Sequence, residues 1–210
     1  SGQVEVLGRP VKSLERRVGM VMQNPDLMLF NSTVAEEITF GMRNETAQNG
    51  KDNEWRLLLD QTGLTGLEDR FPLALSQGQR VRVAIASLLA CRPDVLLLDE
   101  PTTGQDLGHI DDIIAVLREF TAKGGTVIFC THDTEVAARH AERVVVMTGG
   151  RVVADASPRE VFSGDEVLRQ AGLRPPAVLQ VSRKLYGGRA LCVEEVVRHV
   201  QQASLGSYAG

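Results

Sequence analysis

The stretch from Asp94 to Pro101 limits the possible folds of this chain more than any other stretch of its sequence does. The apolar residues 95–98 lead directly into two adjacent carboxylates, Asp99 and Glu100, and then into proline. A short unbroken apolar run predicts a strand buried on both faces of a parallel sheet, and Pro101 ends it because proline has no N–H for the sheet ladder. The two acids therefore fall at the carboxyl end of a strand, where open α/β sheets place their ligands.

Adjacent carboxylates repel each other, and a bound divalent cation can offset this repulsion. The structural alternative is a core strand that ends in a solvated acidic turn. The motifs that surround Asp99 and Glu100 in the sequence favour the cation.

Composition and charge restrict the class of protein. The chain has 210 residues, of which 43% are hydrophobic, enough for one or two domains with an ordinary core. The net charge is −4 and no basic stripe is present, so no nucleic-acid partner is expected. The three cysteines are far apart, which fits reduced cytosolic thiols. No apolar run has membrane-spanning length, so any membrane association is expected to go through a partner.

Four further motifs accompany the acidic pair. Together, and in this order, the five resemble the nucleotide-binding domain of ABC ATPases over the chain up to about residue 155. The four are Gln23 before Asn24 and Pro25, the segment Leu75-Ser76-Gln77-Gly78-Gln79-Arg80, Asp106, and the tripeptide Thr131-His132-Asp133.

The resemblance implies ATP and Mg²⁺ as ligands and assigns a role to each motif. Asp99 and Gln23 would hold the metal, and Glu100 would activate or orient the attacking water. His132, the switch histidine, would reach the γ-phosphate. The signature residues would contact ATP held by a second subunit, together with the D-loop aspartate; these residues are Ser76, Gln77, Gly78, Gln79 and Asp106.

Several of these residues also have structural explanations. Gln23 alone could be an ordinary loop residue, and Asp106 could be a helix N-cap, a D-loop residue or both. Thr131 and Asp133 are suitable helix-capping residues, so capping remains an alternative at His132.

Ser76 and Gln79 form an S-x-x-Q capping pattern, but capping does not explain Gly78, which costs about 1 kcal/mol in a helix relative to alanine. Close approach of a phosphate to the backbone would explain it. Gln77 departs from the glycine that is commonest in the family.

The order of elements predicts an α/β fold. Strands come first, then a block of helices, then a strand, a helix and a strand. The resemblance identifies a RecA-like P-loop NTPase core over 1–23 and 92–156, a helical subdomain with the signature motif over 24–91, and a C-terminal helical extension over 157–210.

A phosphate-binding loop of the form G-x-x-x-x-G-K-[ST] does not occur in the sequence. In the family, a strand such as 2–7 follows that loop closely. We therefore expect an N-terminally truncated domain whose loop lies before Ser1, and we expect the fragment alone to bind and hydrolyse ATP poorly.

Further motifs are similar to energy-coupling factor transporter ATPases, which import vitamins or cobalt and nickel ions. The similarity implies a head-to-tail pair of ATPase subunits at the cytoplasmic face of the membrane, bound to a membrane scaffold subunit and a substrate-binding membrane protein. Leu27, Leu29, Phe30 and Val34 would line the groove for the scaffold, or would only pack the helical subdomain. The motifs are Gln23-Asn24-Pro25-Asp26, Thr102-Thr103-Gly104-Gln105-Asp106, Pro158-Arg159-Glu160-Val161-Phe162 and Leu173-Arg174-Pro175-Pro176.

Two other functions stay open at this point. One is a non-transport ABC ATPase that acts on DNA or ribosomes, which the short helical block and the lack of basic patches disfavour. The other is an inactive half that only donates its signature motif to a partner's ATP site, which the intact Asp99, Glu100 and His132 disfavour.

Overall fold

A computed structural model describes residues 3–6, 8–10, 17–42, 51–103 and 107–206. The chain divides into two compact units, Ser1–Cys130 and Thr131–Gly210. The domain bounds given above were inferred from the resemblance to a family. This division into two units does not test them, so they stay a prediction.

Parallel strands form the centre of the first unit. A short antiparallel pair, β1 (Glu5–Val6) and β2 (Arg9–Pro10), comes first. The strands β3 (Val18–Val21), β4 (Val95–Asp99) and β5 (Thr126–Cys130) then form a parallel sheet in the order β3-β4-β5. The strand predicted to end in Asp99 is therefore confirmed, and it lies in the middle of the sheet.

The two faces of this sheet are covered unequally. Leu96 and Leu98 are buried, but Met20, Leu97 and Ile128 lie in one row on the other face, and Met20 and Ile128 are 52% and 54% exposed. The prediction of strands buried on both faces is thus wrong for the described residues, which cover the second face incompletely. Alternation of buried and exposed side chains is the ordinary pattern of a half-covered sheet.

Helices fill the chain between β3 and β4. They are a 3₁₀ turn at Pro25–Leu27, α1 (Val34–Met42), α2 (Lys51–Gln61), a 3₁₀ turn at Pro72–Ala74 and α3 (Gln77–Leu89). α3 packs against α1, α2 and β3, and every residue from 81 to 86 is buried. Gly63, two residues after the end of α2, has φ +61°, a left-handed conformation that is common just after a helix.

A buried arginine that the sequence did not single out connects these helices. Arg82 is 6% exposed, and its Nη1 donates to the carbonyl oxygens of Thr62 (3.0 Å) and Gly63 (3.3 Å). The same nitrogen lies 3.7 Å from Oδ2 of Asp112 in α4 (Leu107–Ala122). Arg82 therefore binds free carbonyls at the end of α2 and a carboxylate of α4.

The second unit begins with α5 (Thr134–His140) and the antiparallel hairpin of β6 (Val144–Thr148) and β7 (Arg151–Ala156). Four helices follow: α6 (Pro158–Ser163), α7 (Asp165–Ala171), α8 (Ala177–Tyr186) and α9 (Val193–Gly206). Its own core contains Ala138, Val146, Val161, Phe162, Leu168, Leu179 and Leu191.

Within the residues that the structure describes, no helix combines the length and the apolar character that a bilayer crossing requires.

Candidate active site

The carboxyl ends of the three parallel strands carry the candidate catalytic residues. Asp99 is the last residue of the central strand β4, and it pairs in register with Cys130 at the end of β5. Glu100 follows Asp99 directly, and Gln23 comes two residues after the end of β3. Parallel strands place such residues at one edge of a sheet.

Glu100 has a strained backbone that hydrogen bonds hold in place. Its φ is +50°, in the left-handed region that costs a non-glycine residue about 1–2 kcal/mol. The Glu100 N–H donates to the carbonyl of Cys130 (3.0 Å), which ties the turn to β5. Thr103 Oγ1 donates to Glu100 Oε2 (3.1 Å), so the carboxylate also has a fixed partner. Strain of this kind is frequent at active sites because it fixes the direction of a side chain.

Asp99 and Gln23 suit a metal site by their chemistry. Their side chains make no hydrogen bond or ion pair with any residue of the described ranges, and both have solvent access. The described residues contain no cluster of three or more metal-binding side chains. Mg²⁺ bound with a nucleotide needs only one or two protein carboxylates, because phosphate and water oxygens complete its shell. The residues present therefore fit Mg²⁺.

A side-chain cap and a buried proline anchor the loop after Gln23. Asn24 Oδ1 accepts a hydrogen bond from the Asp26 N–H (3.1 Å) and caps the 3₁₀ turn, whose first residue, Pro25, is buried. Gln23 itself is exposed. A strand and a capped turn thus flank Gln23 in the sequence.

The start of α3 has the predicted capping box. Ser76 Oγ accepts from the Gln79 N–H (3.3 Å), and Gln79 Oε1 accepts from the Ser76 N–H (3.0 Å). Gln77 and Gly78 form the first turn of the helix, where backbone N–H groups have no partner within the helix. Capping accounts for Ser76 and Gln79 and does not account for Gly78.

An ion pair between distant parts of the sequence joins the Gln23 loop to the start of α3. Arg80 Nε lies 2.7 Å from Asp26 Oδ1, and Arg80 Nη1 donates to the Leu75 carbonyl (2.6 Å). The structure therefore brings the Gln23 loop and the segment 75–80 together. Sequence reasoning missed this contact, because nothing local to either motif indicates it.

Of the two residues that flank His132, Asp133 caps α5 and Thr131 supports the turn before it. Asp133 Oδ1 accepts from the N–H groups of Glu135 (2.9 Å) and Val136 (3.3 Å), and Thr131 Oγ1 accepts from the Asp133 N–H (3.0 Å). None of these bonds uses the exposed His132 side chain, whose role at a phosphate stays a prediction. Asp106 lies outside the described residues.

The apolar set expected to form a docking groove divides into two pairs. Leu29 and Val34 are buried in the core, whereas Leu27 and Phe30 are 70% and 66% exposed. The Phe30 ring packs edge-on against Phe40 at 4.9 Å.

A buried carboxylate holds the backbone beneath the exposed Phe30 side chain. Glu37 is 3% exposed, and its Oε2 accepts from the N–H groups of Phe30 (2.9 Å) and Asn31 (2.8 Å). The exposed pair Leu27 and Phe30 therefore lies on an ordered segment, which suits contact with another protein.

Several known proteins with similar sequences are named as ATP-binding proteins of transporters. Residues 1–103 match the family model described as ABC transporter. A Methanosarcina acetivorans protein, provisionally named an ABC transporter ATP-binding protein, is 45% identical over 173 residues. That alignment spans 82% of this chain but only 28% of the relative's length. The energy-coupling factor transporter ATP-binding protein EcfA of Methanocaldococcus jannaschii is 38% identical, over 84% of this chain and 66% of EcfA.

A solved structure with the same fold supports the match. CbiO1 of Clostridium perfringens, part of the ABC transporter complex CbiONQ, superposes with a TM-score of 0.70 at 32% identity. The superposition covers 87% of this chain and 76% of CbiO1. The fold is thus that of the ABC ATPases, a P-loop NTPase fold, and the chain belongs to the family of ABC transporter ATP-binding proteins.

Proposed function

We propose that the full-length protein is the ATP-hydrolysing subunit of an importer of the energy-coupling factor type. One observation carries the ATPase proposal: the adjacent Asp99 and Glu100 at the end of the central strand, with Glu100 fixed by Cys130 and Thr103. The names of EcfA and of the CbiONQ complex support the importer type. The imported substrates would be vitamins or cobalt and nickel ions.

In the proposed reaction, water attacks the γ-phosphate of ATP. A bond forms between the water oxygen and phosphorus, the bond to the ADP oxygen breaks, and Glu100 accepts the proton of the water or orients it. The hydrogen bond from Thr103 to Glu100 Oε2 supports this role, since it restricts the position of the carboxylate. His132 would donate a ring N–H to the γ-phosphate.

Asp99 and Gln23 would hold Mg²⁺, which when bound neutralises charge on the ATP phosphates. Asp99 would act as the carboxylate ligand, because its oxygens make no hydrogen bond or ion pair with a described residue. Gln23 can both donate and accept, so its amide suits contact with a metal-bound water.

The signature residues would serve the ATP of a second ATPase subunit in a head-to-tail dimer. The free N–H groups at the start of α3 and the positive end of its helix dipole suit the γ-phosphate. Gly78 would let a phosphate oxygen approach the backbone. The contacting residues would be Ser76, Gln77, Gly78, Gln79 and Asp106.

A membrane scaffold subunit would bind the exposed pair Leu27 and Phe30, and it would also hold the substrate-binding membrane protein. Exposed aromatic and aliphatic side chains on an ordered segment are typical anchors of protein interfaces. The ATPase would then act at the cytoplasmic face of the membrane through this contact alone.

The test is purification of the tagged full-length protein from membranes of its own organism, followed by an ATPase assay on the eluate. We expect hydrophobic membrane subunits to co-purify and the complex to hydrolyse ATP in the presence of Mg²⁺. Recovery of an active ATPase without membrane subunits would contradict the importer and leave the ATPase standing. Recovery of the complex without turnover would instead favour an inactive half.

A further inference from the structure

The second unit contains a cavity that is largely open to solvent, and none of the residues proposed for ATP lines it. Its volume is about 290 Å³, and side chains of α6, α8, α9 and the segment between α8 and α9 line it. Three arginines and a histidine face it against a single glutamate: Arg159, Arg189, Arg198, His199 and Glu195. Such an excess of cationic donors in one concave site favours an anion.

Both oxygens of the one carboxylate that lines the cavity already accept a hydrogen bond. Glu195 Oε1 accepts from Arg159 Nη2 (2.5 Å), and Glu195 Oε2 accepts from the Leu191 N–H (3.0 Å). Glu195 therefore neutralises Arg159 and binds a free backbone donor ahead of α9. Glu195 makes no hydrogen bond or ion pair with Arg189 or Arg198.

Arg159 itself is held in place. Its Nη1 donates to the carbonyl of Arg189 (2.8 Å), and its Nη2 bonds Glu195. Two hydrogen bonds use only part of the five donors of a guanidinium, so Arg159 keeps N–H groups for a ligand. A fixed donor loses little freedom when a ligand binds.

Arg189 and Arg198 carry positive charges that no ion pair with a described residue neutralises. Neither side chain makes a hydrogen bond or an ion pair with any residue that the structure describes. Two unpaired arginines beside a cavity repel each other, and an anion between them would remove that repulsion. The planar guanidinium fork matches the oxygens of a phosphate group in a bidentate way.

A stacked aromatic pair forms another part of the wall. The rings of Tyr186 and His199 lie 3.7 Å apart with an angle of 18° between their planes. The pair joins the end of α8 to α9 and gives the cavity a stable side. The cavity is at the small end of ligand sites, which span about 300–1,000 Å³, so it suits a compact ligand.

We propose that this cavity is a binding site for a small phosphate-bearing anion. The unpaired Arg189 and Arg198 and the fixed Arg159 would bind the phosphate oxygens. The site is independent of the proposed ATP hydrolysis, because none of its residues belongs to the motifs assigned to ATP.

The test is isothermal titration calorimetry of the full-length protein with pyrophosphate, with the ATP sites first saturated by a non-hydrolysable ATP analogue. We expect one pyrophosphate per chain, with an affinity that falls as salt is raised. Arg189→Ala and Arg198→Ala should each weaken binding at least about tenfold, as expected for loss of a charge-assisted hydrogen bond. Arg151→Ala, which removes an exposed arginine of the hairpin outside the cavity, should leave the affinity within about twofold.

A second arm separates a soluble phosphate from a lipid headgroup. Flotation of the same variants with phosphatidylcholine vesicles that contain phosphatidic acid would show binding to the lipid. Vesicle binding that Arg198→Ala removes, without pyrophosphate binding, would assign the site to a lipid phosphate. Failure of both ligands to bind, or an equal loss in Arg151→Ala, would overturn the proposal and would leave the ATPase proposal untouched.

Discussion

At the scale of single residues, the Arg143–Asp155 ion pair gives the protein a defined dependence on pH. Arg143 Nε and Nη2 donate to Asp155 Oδ1 (2.6 Å) and Oδ2 (2.7 Å), and these hydrogen bonds lower the pKa of Asp155 below its ordinary value. A carboxylate with a lowered folded-state pKa adds stability above its unfolded pKa, and that stability is lost as the pH falls through the folded value. We expect Asp155→Asn to lower the free energy of unfolding at neutral pH.

Urea denaturation of both proteins across the pH range checks this expectation. The difference between wild type and Asp155→Asn should shrink as the pH falls below about 4, near the ordinary pKa of an aspartate. Asp69→Asn is the control, because the Asp69 carboxylate makes no ion pair with a described residue. A difference for Asp155→Asn that stays constant with pH would contradict the role of the ion pair.

Residue-level prediction from the sequence reaches only what is local. The acidic pair and Pro101 could be recognised because they are adjacent to an apolar run. The φ of +50° at Glu100 could not, since it depends on a hydrogen bond to Cys130 in another strand. The same holds for the Asp26–Arg80 ion pair, which joins segments far apart in the sequence.

At the scale of secondary-structure elements, two capping boxes offer a matched comparison. Ser76 caps α3 and Ser157 caps α6, and each box has both reciprocal hydrogen bonds. Replacing either serine by alanine should cost about 1 kcal/mol of stability, since an N-cap acceptor is lost. Only Ser76→Ala should also reduce ATP turnover, because only that serine belongs to the proposed ATP-binding motif.

Thermal unfolding and ATPase rates of the two full-length variants check this prediction. Equal losses of turnover in Ser76→Ala and Ser157→Ala would show that capping alone explains Ser76. Unchanged turnover in Ser76→Ala would contradict the signature role directly.

The local sequence pattern predicts where a helix begins more reliably than it predicts which side chains are buried. The boxes at Ser76 and Ser157 were predictable because four consecutive residues form them. At α1, by contrast, Thr33 Oγ1 accepts from the Glu36 N–H (3.1 Å), but the Glu36 carboxylate accepts from the Ser32 N–H rather than from Thr33. The exposure of Ile128 in β5 was not predictable, because it depends on what covers the second face of the sheet.

At the scale of the whole molecule, a specific role of Phe30 at the proposed scaffold contact can be distinguished from the general effect of an exposed aromatic side chain. Phe30 and Phe71 are 66% and 51% exposed, and both belong to the first unit. We expect Phe30→Ala to reduce co-purification of membrane subunits by at least about tenfold, as for an interface anchor. Phe71→Ala should leave co-purification unchanged.

Quantitative mass spectrometry of the tagged complexes measures this difference. Equal recovery of membrane subunits with Phe30→Ala and wild type would place the contact elsewhere.

The sequence predicted this apolar set by resemblance, but it could not separate the buried Leu29 and Val34 from the exposed Leu27 and Phe30. That separation depends on how α1 and its preceding loop pack.

The central claim is that Glu100 drives the hydrolysis of ATP, and Glu100→Gln tests it most directly. The variant keeps the size and hydrogen-bonding oxygen of the side chain but removes its charge and basicity. Steady-state hydrolysis by the full-length complex should fall at least about a hundredfold, as for loss of a general base, while the affinity for MgATP stays within about threefold. Glu166→Gln, on the exposed face of α7, should hydrolyse ATP at the wild-type rate. A Glu100→Gln variant that still hydrolyses ATP at the wild-type rate would contradict the account.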